Sequence, residues 1–120
     1  MKEYNNTNIF AKIIRGEIPC NKVYEDKEAL CFYDINPQAK IHVLLIPKGE
    51  YVSYDDFVDK ADDKTIVSFF NKINLIIKKL KLETSGFRII SNTGINANQE
   101  VPHFHIHILG GENLGGINSK

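Results

Sequence analysis

The chain has 120 residues, 42% of them hydrophobic, and its 15 lysines and arginines are balanced by 15 aspartates and glutamates. That length suits one domain, residues 1–120, around a single packed core, and apolar residues spread along it exclude a disordered chain. The absence of net charge excludes the field that holds a protein on nucleic acid or an anionic membrane, so any phosphate-bearing ligand has to be held locally.

At the N-terminus, "MKEYNNTNIF" lacks the apolar core of a signal peptide. No charge-poor run approaches the ~20 residues of a membrane span, so a cytoplasmic location is expected. The sequon Asn5-Asn6-Thr7 carries nothing without secretion. In "TNIFAKIIRGEIP", Ile9, Phe10, Ile13 and Ile14 recur at helical spacing, Thr7 or Asn8 can cap the start, and Gly16 stands where a left-handed residue ends a helix. A short helix is predicted there. Cys20 and Cys31 match neither a zinc spacing nor a redox C-x-x-C, and are expected as reduced thiols in or near the core.

"NKVYED" and "EALCFYDIN" read as two strands joined around Glu25 to Lys27, with Asn36-Pro37 turning the chain after the second. "KIHVLLIPK" is almost continuously apolar, which suits a central strand buried on both faces, with His42 inside it. From Asp62 to Leu82, Ile66, Phe69, Phe70, Ile73, Ile76, Ile77 and Leu80 step by three and four, while Lys72, Lys78, Lys79 and Lys81 take other faces. This is a long amphipathic helix, and its lysines crowd the end where they suit the helix dipole. "GFRIISN" follows as a strand, then the polar loop "TGINANQE", then a strand of histidines. The pattern predicts an α+β fold with a mainly antiparallel sheet, one long and one short helix.

The stretch "VPHFHIHILGG", residues 101–111, holds three of the four histidines. In an extended chain His103, His105 and His107 share one face with neighbours roughly 7 Å apart, while Phe104, Ile106 and Ile108 share the other and can pack under the long helix. Three readings stand at this point. The row is a polar stripe on a strand. Alternatively two histidines and His42 bind zinc, although the outer two of the row, roughly 13 Å apart, cannot hold one ion at ~2 Å. In the third reading one imidazole is a nucleophile, since neutral imidazole is a good nitrogen nucleophile at pH 7 and flanking histidines can orient it and shuttle a proton. Gly94, Asn96, Asn98 and Gln99 just before the row can donate hydrogen bonds to an anion, which points to a phosphoryl or nucleotidyl substrate.

The run His103-Phe104-His105-Ile106-His107-Ile108-Leu109 matches the signature His-φ-His-φ-His-φ-φ, with φ apolar, and "IFAKIIRGEIP", "CFYDINPQAKIHVLLIPK" and "GFRIISNTG" precede it in order. Over residues 8–111 the chain therefore resembles the nucleotide-binding (Hint) branch of the histidine triad (HIT) family, with 112–120 as a C-terminal tail. The resemblance implies a HIT-like fold whose sheet continues across a homodimer, a purine nucleotide (an AMP or GMP derivative) bound to each protomer, and neither metal nor other cofactor. It implies hydrolysis of purine nucleoside 5'-phosphoramidates, such as AMP linked to an amine, with His105 becoming a nucleotidyl-histidine.

By position in the resemblance, His107 contacts the phosphate and helps the leaving group depart, and His103 supports the site together with His42. Asp34 matches the carboxylate that binds the ribose hydroxyls, beside Ile35. Phe10, Ile13, Ile18, Phe32 and Leu44 match the base pocket, and Asn92, Gln99 and Val101 match positions that hold phosphate and sugar. From the residues alone, His42 reads equally as a satisfied core histidine and Asp34 as a cap on the turn at Asn36-Pro37.

Three departures bear on the resemblance. Glu100 stands where many relatives carry a small hydroxyl residue that assists the leaving group, which opens the leaving-group preference. The tail "GENLGGINSK" lacks a tryptophan that some relatives place near the partner's site. The C-x-x-C of zinc-binding relatives reads Asn8-Ile9-Phe10-Ala11 here, without thiol ligands. Dinucleoside polyphosphate hydrolysis, or a nucleotide-binding or scaffold role with residual activity, are the alternative functions.

Overall fold

Asn8, itself extended at φ −67° and ψ 157°, opens the first helix, and its side chain accepts the Ala11 N–H at 2.9 Å. This is the start of the computed structural model's first element; the structure describes residues 3–118, and Met1, Lys2, Ser119 and Lys120 lie outside the described residues. Helix α1 runs Ile9–Ile14 and closes on Gly16, whose φ of +79° turns the following Glu17 N–H back to the Lys12 carbonyl at 2.9 Å. Strands β1 (Lys22–Glu25), β2 (Ala29–Tyr33) and β3 (Ile41–Pro47) follow, then helices α2 (Tyr54–Lys60) and α3 (Asp63–Lys79), then β4 (Phe87–Ile90) and β5 (Ile106–Gly110). A 3-10 turn, Ile95–Ala97, lies in the loop before β5.

The five strands form one antiparallel sheet in the order β1-β2-β3-β5-β4. The apolar strand β3 lies at its centre with every residue from His42 to Pro47 buried, as a strand covered on both faces requires. Register then decides which residues meet. Leu44 is opposite Phe32 on one side and His107 on the other, and His107 is opposite Ile90. Directly opposed residues share a face, so one row carries apolar wall and histidine together.

The opposite face carries Cys31, Val43, Leu45, Ile106 and Ile108, which pack with Phe69, Ile73, Ile76 and Ile77 of α3. Phe104 joins this cluster, so the apolar set between the histidines packs under the long helix. On the site face, Phe10 of α1 closes over Leu30, Phe32, Leu44 and Ile46, with Ile13, Ile14, Cys20 and Val101 against them. Cys20 and Cys31 are free, Cys31 fully buried, and burial pushes its thiol up to about 12. No helix of the described residues is long and apolar enough to cross a membrane.

Two expectations are corrected. The α+β fold has, among the described residues, three helices rather than two. Helix α2 has seven residues, too few for a periodicity to show, and Phe57, fully buried, is its anchor. The histidine strand is also shorter than its sequence pattern. Pro102 supplies no N–H, the His103 N–H turns to the Val101 carbonyl, and the Phe104 N–H bonds to Tyr51, so regular pairing begins only at Ile106. His103 therefore sits in a bend rather than in the ladder.

Phe104 lies in that bend and stacks on Phe57 with ring centres 5.0 Å apart, close also to Phe69 at 5.4 Å. Replacing it with alanine is expected to lower the unfolding free energy by about 3–5 kcal/mol in urea denaturation, through lost burial and the cavity left behind. A loss below about 1 kcal/mol would show that this ring does not tie the bend to the core.

Candidate active site

The four histidines are held by different neighbours, and each neighbour fixes where the ring proton lies. His105 Nδ1 is 2.7 Å from the backbone carbonyl of His103. A carbonyl only accepts, so Nδ1 carries the proton and Nε2 keeps a bare lone pair. His103 is fully buried, with Nε2 2.7 Å from the Pro47 carbonyl and Nδ1 2.6 Å from the Tyr4 hydroxyl. It therefore donates through Nε2 and accepts from Tyr4.

The other pair runs through β3. The backbone N–H of Gln38 points at His42 Nδ1, 3.0 Å away, so the neutral His42 ring has its proton on Nε2. That N–H faces His107 Nδ1 at 2.9 Å and the Asp34 carboxylate at 3.4 Å. His107 accepts at Nδ1 and keeps its own proton at Nε2. The result is a bare nucleophilic nitrogen on His105 beside an N–H donor on His107, with ring centres 5.0 Å apart rather than the 7 Å of an extended row.

Burial keeps these rings neutral. It pushes His103 down to about 4, and His107 likewise to about 4, with the neighbouring His105 and His42 adding to the effect. Burial also lowers His105, against the opposing pull of the His103 carbonyl and the Asp34 and Glu100 carboxylates. His42 is lowered by burial, with Asp34 opposing. A neutral imidazole needs no deprotonation before it can act as a nucleophile.

Asp34, His42 and His107 bring one ligand atom each within 4.8 Å of one another. Their tautomers make this a poor cation site. Ligation through His42 Nε2 would need the proton moved to Nδ1, where it would meet the Gln38 N–H. The cluster reads as a chain of hydrogen bonds that ends at the His107 Nε2–H.

Around this centre, Phe10 sets its ring edge-on to His105 at 5.0 Å and to Phe32 at 5.6 Å. Phe10, Ile13, Phe32, Leu44 and Val101 share one apolar cluster, and Ile18 is half-buried in the segment leaving α1. Asp34 does cap its turn, its Oδ1 accepting the Asn36 N–H at 2.8 Å, while Oδ2 faces His42. Ile35 beside it is 95% exposed. Asn92 is half-buried and Glu100 exposed. Gln99 commits its amide to the backbone, donating to Val52 and Val101 and accepting from Gly94, so it fastens the loop. Sequence reasoning missed Tyr4, the Gln38 N–H and the Pro47 carbonyl. Backbone groups leave no trace in residue type, and Tyr4 lies 99 positions from the histidine it touches.

Comparison with known proteins gives a consistent set of likenesses. A family model described as HIT domain matches residues 15–114. An uncharacterized 13.2 kDa HIT-like protein of Azospirillum brasilense is 49% identical over 119 residues, spanning 99% of this chain and 98% of its own. Among solved structures, a histidine triad protein from Clostridium difficile superposes with a TM-score of 0.82 at 44% identity, covering 95% of this chain and 98% of its own. A HIT family hydrolase from Legionella pneumophila gives 0.85 at 35% identity, covering 92% and 98%.

The lowered histidines make stability depend on pH. His103 and His107 titrate near 6.5 when unfolded and about 4 when folded, so between these values the unfolded chain binds more protons. Unfolding free energy is expected to rise from pH 4 to 6.5 and then level off. Urea denaturation at pH 5 and pH 7 measures this, and equal or greater stability at pH 5 would contradict neutral buried rings.

Proposed function

Because the chain belongs to the HIT domain family, we propose that it is a nucleotide hydrolase that cleaves purine nucleoside 5'-phosphoramidates through a covalent bond to His105. The observation that carries this reading is the His105 tautomer, Nδ1–H on the His103 carbonyl with Nε2 bare in a buried, neutral ring. A hydrolase has to offer a nucleophile to phosphorus and a proton to the leaving nitrogen. His105 and His107 supply the two from adjacent rings.

In the first step the His105 Nε2 lone pair forms a bond to the α-phosphorus while the phosphorus–nitrogen bond to the amine breaks. The amine takes the proton of His107 Nε2, and the imidazolate this leaves is balanced by the positive charge of the nucleotidylated His105 ring, 5.0 Å away between ring centres. His42 donates to His107 Nδ1, so the His107 proton stays on Nε2, where it can serve the leaving group. In the second step water attacks the phosphorus, the bond to His105 breaks, and a water proton restores His107. Nucleoside monophosphate and amine are the products, and the proton count closes without a metal or cofactor.

For binding, the reading gives the base to the pocket of Phe10, Ile13, Ile18, Phe32 and Leu44. It gives the ribose hydroxyls to Asp34 beside Ile35, and phosphate and sugar to Asn92, Gln99 and Val101. Gln99 would have to release one of its backbone partners to reach a phosphate. Glu100 takes the leaving-group side, where its charge already acts on His105. A homodimer with a continuous sheet fits edge strand β4, whose Phe87 and Ile89 are 43% and 44% exposed.

Adenosine 5'-phosphoramidate incubated with the protein is expected to give AMP, and His105→Ala to lower turnover by at least about 10³-fold, the scale of losing a covalent nucleophile. Undiminished AMP release by that variant would refute the assignment.

A further inference from the structure

Tyr4 precedes residues 15–114, which the HIT domain model matches, yet its hydroxyl reaches the triad. It is 2.6 Å from His103 Nδ1, and its ring stands edge-on to that imidazole at 5.5 Å. His103 Nε2 already donates to Pro47, so Nδ1 can only accept and the tyrosine donates. The contact is built from its own side as well. Tyr4 leads into a turn in which the Thr7 N–H and hydroxyl both bond to Asn5 Oδ1, at 3.0 and 2.6 Å, and Arg15 ties the Asn6 carbonyl at 2.9 Å.

We propose that Tyr4 is a positioning residue for the nucleophile, pinning the His103 ring whose backbone carbonyl fixes the His105 tautomer. The inference rests on the reading of His105 as nucleophile. The order of contacts is Tyr4 hydroxyl to His103 Nδ1, then His103 carbonyl to His105 Nδ1–H. His103 stands in a bend rather than in the ladder; the peptide that carries its carbonyl is tied by the Phe104 N–H to the Tyr51 carbonyl at 2.7 Å, and the His103 side-chain anchors add a second hold on the same residue. Without the hydroxyl, a fully buried nitrogen lone pair loses its donor and the ring keeps its hydrogen bond to Pro47 at the other nitrogen. Donation from Tyr4 also resists a proton at Nδ1, which would set a positive charge beside His105. Phe10 presents only a ring edge to His103, and the groups that act on Tyr4 itself are Asn8, Glu50 and Arg15.

Tyr4→Phe keeps the ring and removes the hydroxyl. With adenosine 5'-phosphoramidate, kcat is expected to fall about tenfold and KM to stay within about twofold, as for one hydrogen bond that serves the transition state. Added to His103→Ala, the same substitution should change nothing further, because both act through one ring. Ring-nitrogen NMR at pH 7, which needs no substrate, should show both the His103 Nδ1 and the His105 signals displaced in Tyr4→Phe. Wild-type kcat in Tyr4→Phe, the same tenfold loss in the His103→Ala background, or unmoved His105 signals would each overturn the role. Failure of the wild-type protein to cleave the phosphoramidate would instead remove the functional reading, and the NMR comparison would still decide what Tyr4 does.

Discussion

The hydrogen bond from His105 Nδ1–H to the His103 carbonyl, 2.7 Å long, is the constraint on which the site depends. Imidazole has two nitrogens, and only an unprotonated one is a nucleophile. By engaging Nδ1, the backbone leaves Nε2 free without using any charged group. The rest of the site can then be buried, because a neutral nucleophile carries little desolvation cost compared with an ion. Burial in turn lowers all four histidines and holds them neutral.

The fold supplies this constraint through two faces of one sheet. The face under α3 is apolar and fixes β5 through Ile106 and Ile108, and the segment before it through Phe104. The other face is then free to differ, and it places His107 in one row with Leu44 and Phe32. Helix α1 closes this face with Phe10, whose ring touches both the apolar wall and His105. The packing that stabilises the chain and the packing that surrounds His105 are thus the same contacts. Polar order comes from backbone groups of irregular segments at Gln38 and His103, and from the carbonyl of Pro47 at the end of β3.

Much of this was legible in the residues. The apolar spacing of α3, the continuous run of β3, Asn8 and Gly16 at the ends of α1, and the alternation of histidine with apolar residues all express local geometry, which sequence records directly. What escaped depends on contacts between distant segments. Helix α2 is a single buried anchor with polar flanks. Pro102 stops the ladder before His105, although the alternation continues through it. The amide of Gln99 suits an anion by type and is used to fasten a loop. Asp34 does both things its sequence allowed, capping a turn with one oxygen and facing His42 with the other. Tyr4 carries no local signal at all.

The central claim is that the phosphorus of the substrate becomes bonded to His105 Nε2 during turnover. Mass spectrometry of protein quenched during turnover of adenosine 5'-phosphoramidate tests it directly by locating the nucleotidyl group on a peptide. The account predicts an AMP adduct on His105. An adduct on His42 or His107 instead would contradict it, since both rings keep their protons on the nitrogen that would have to attack.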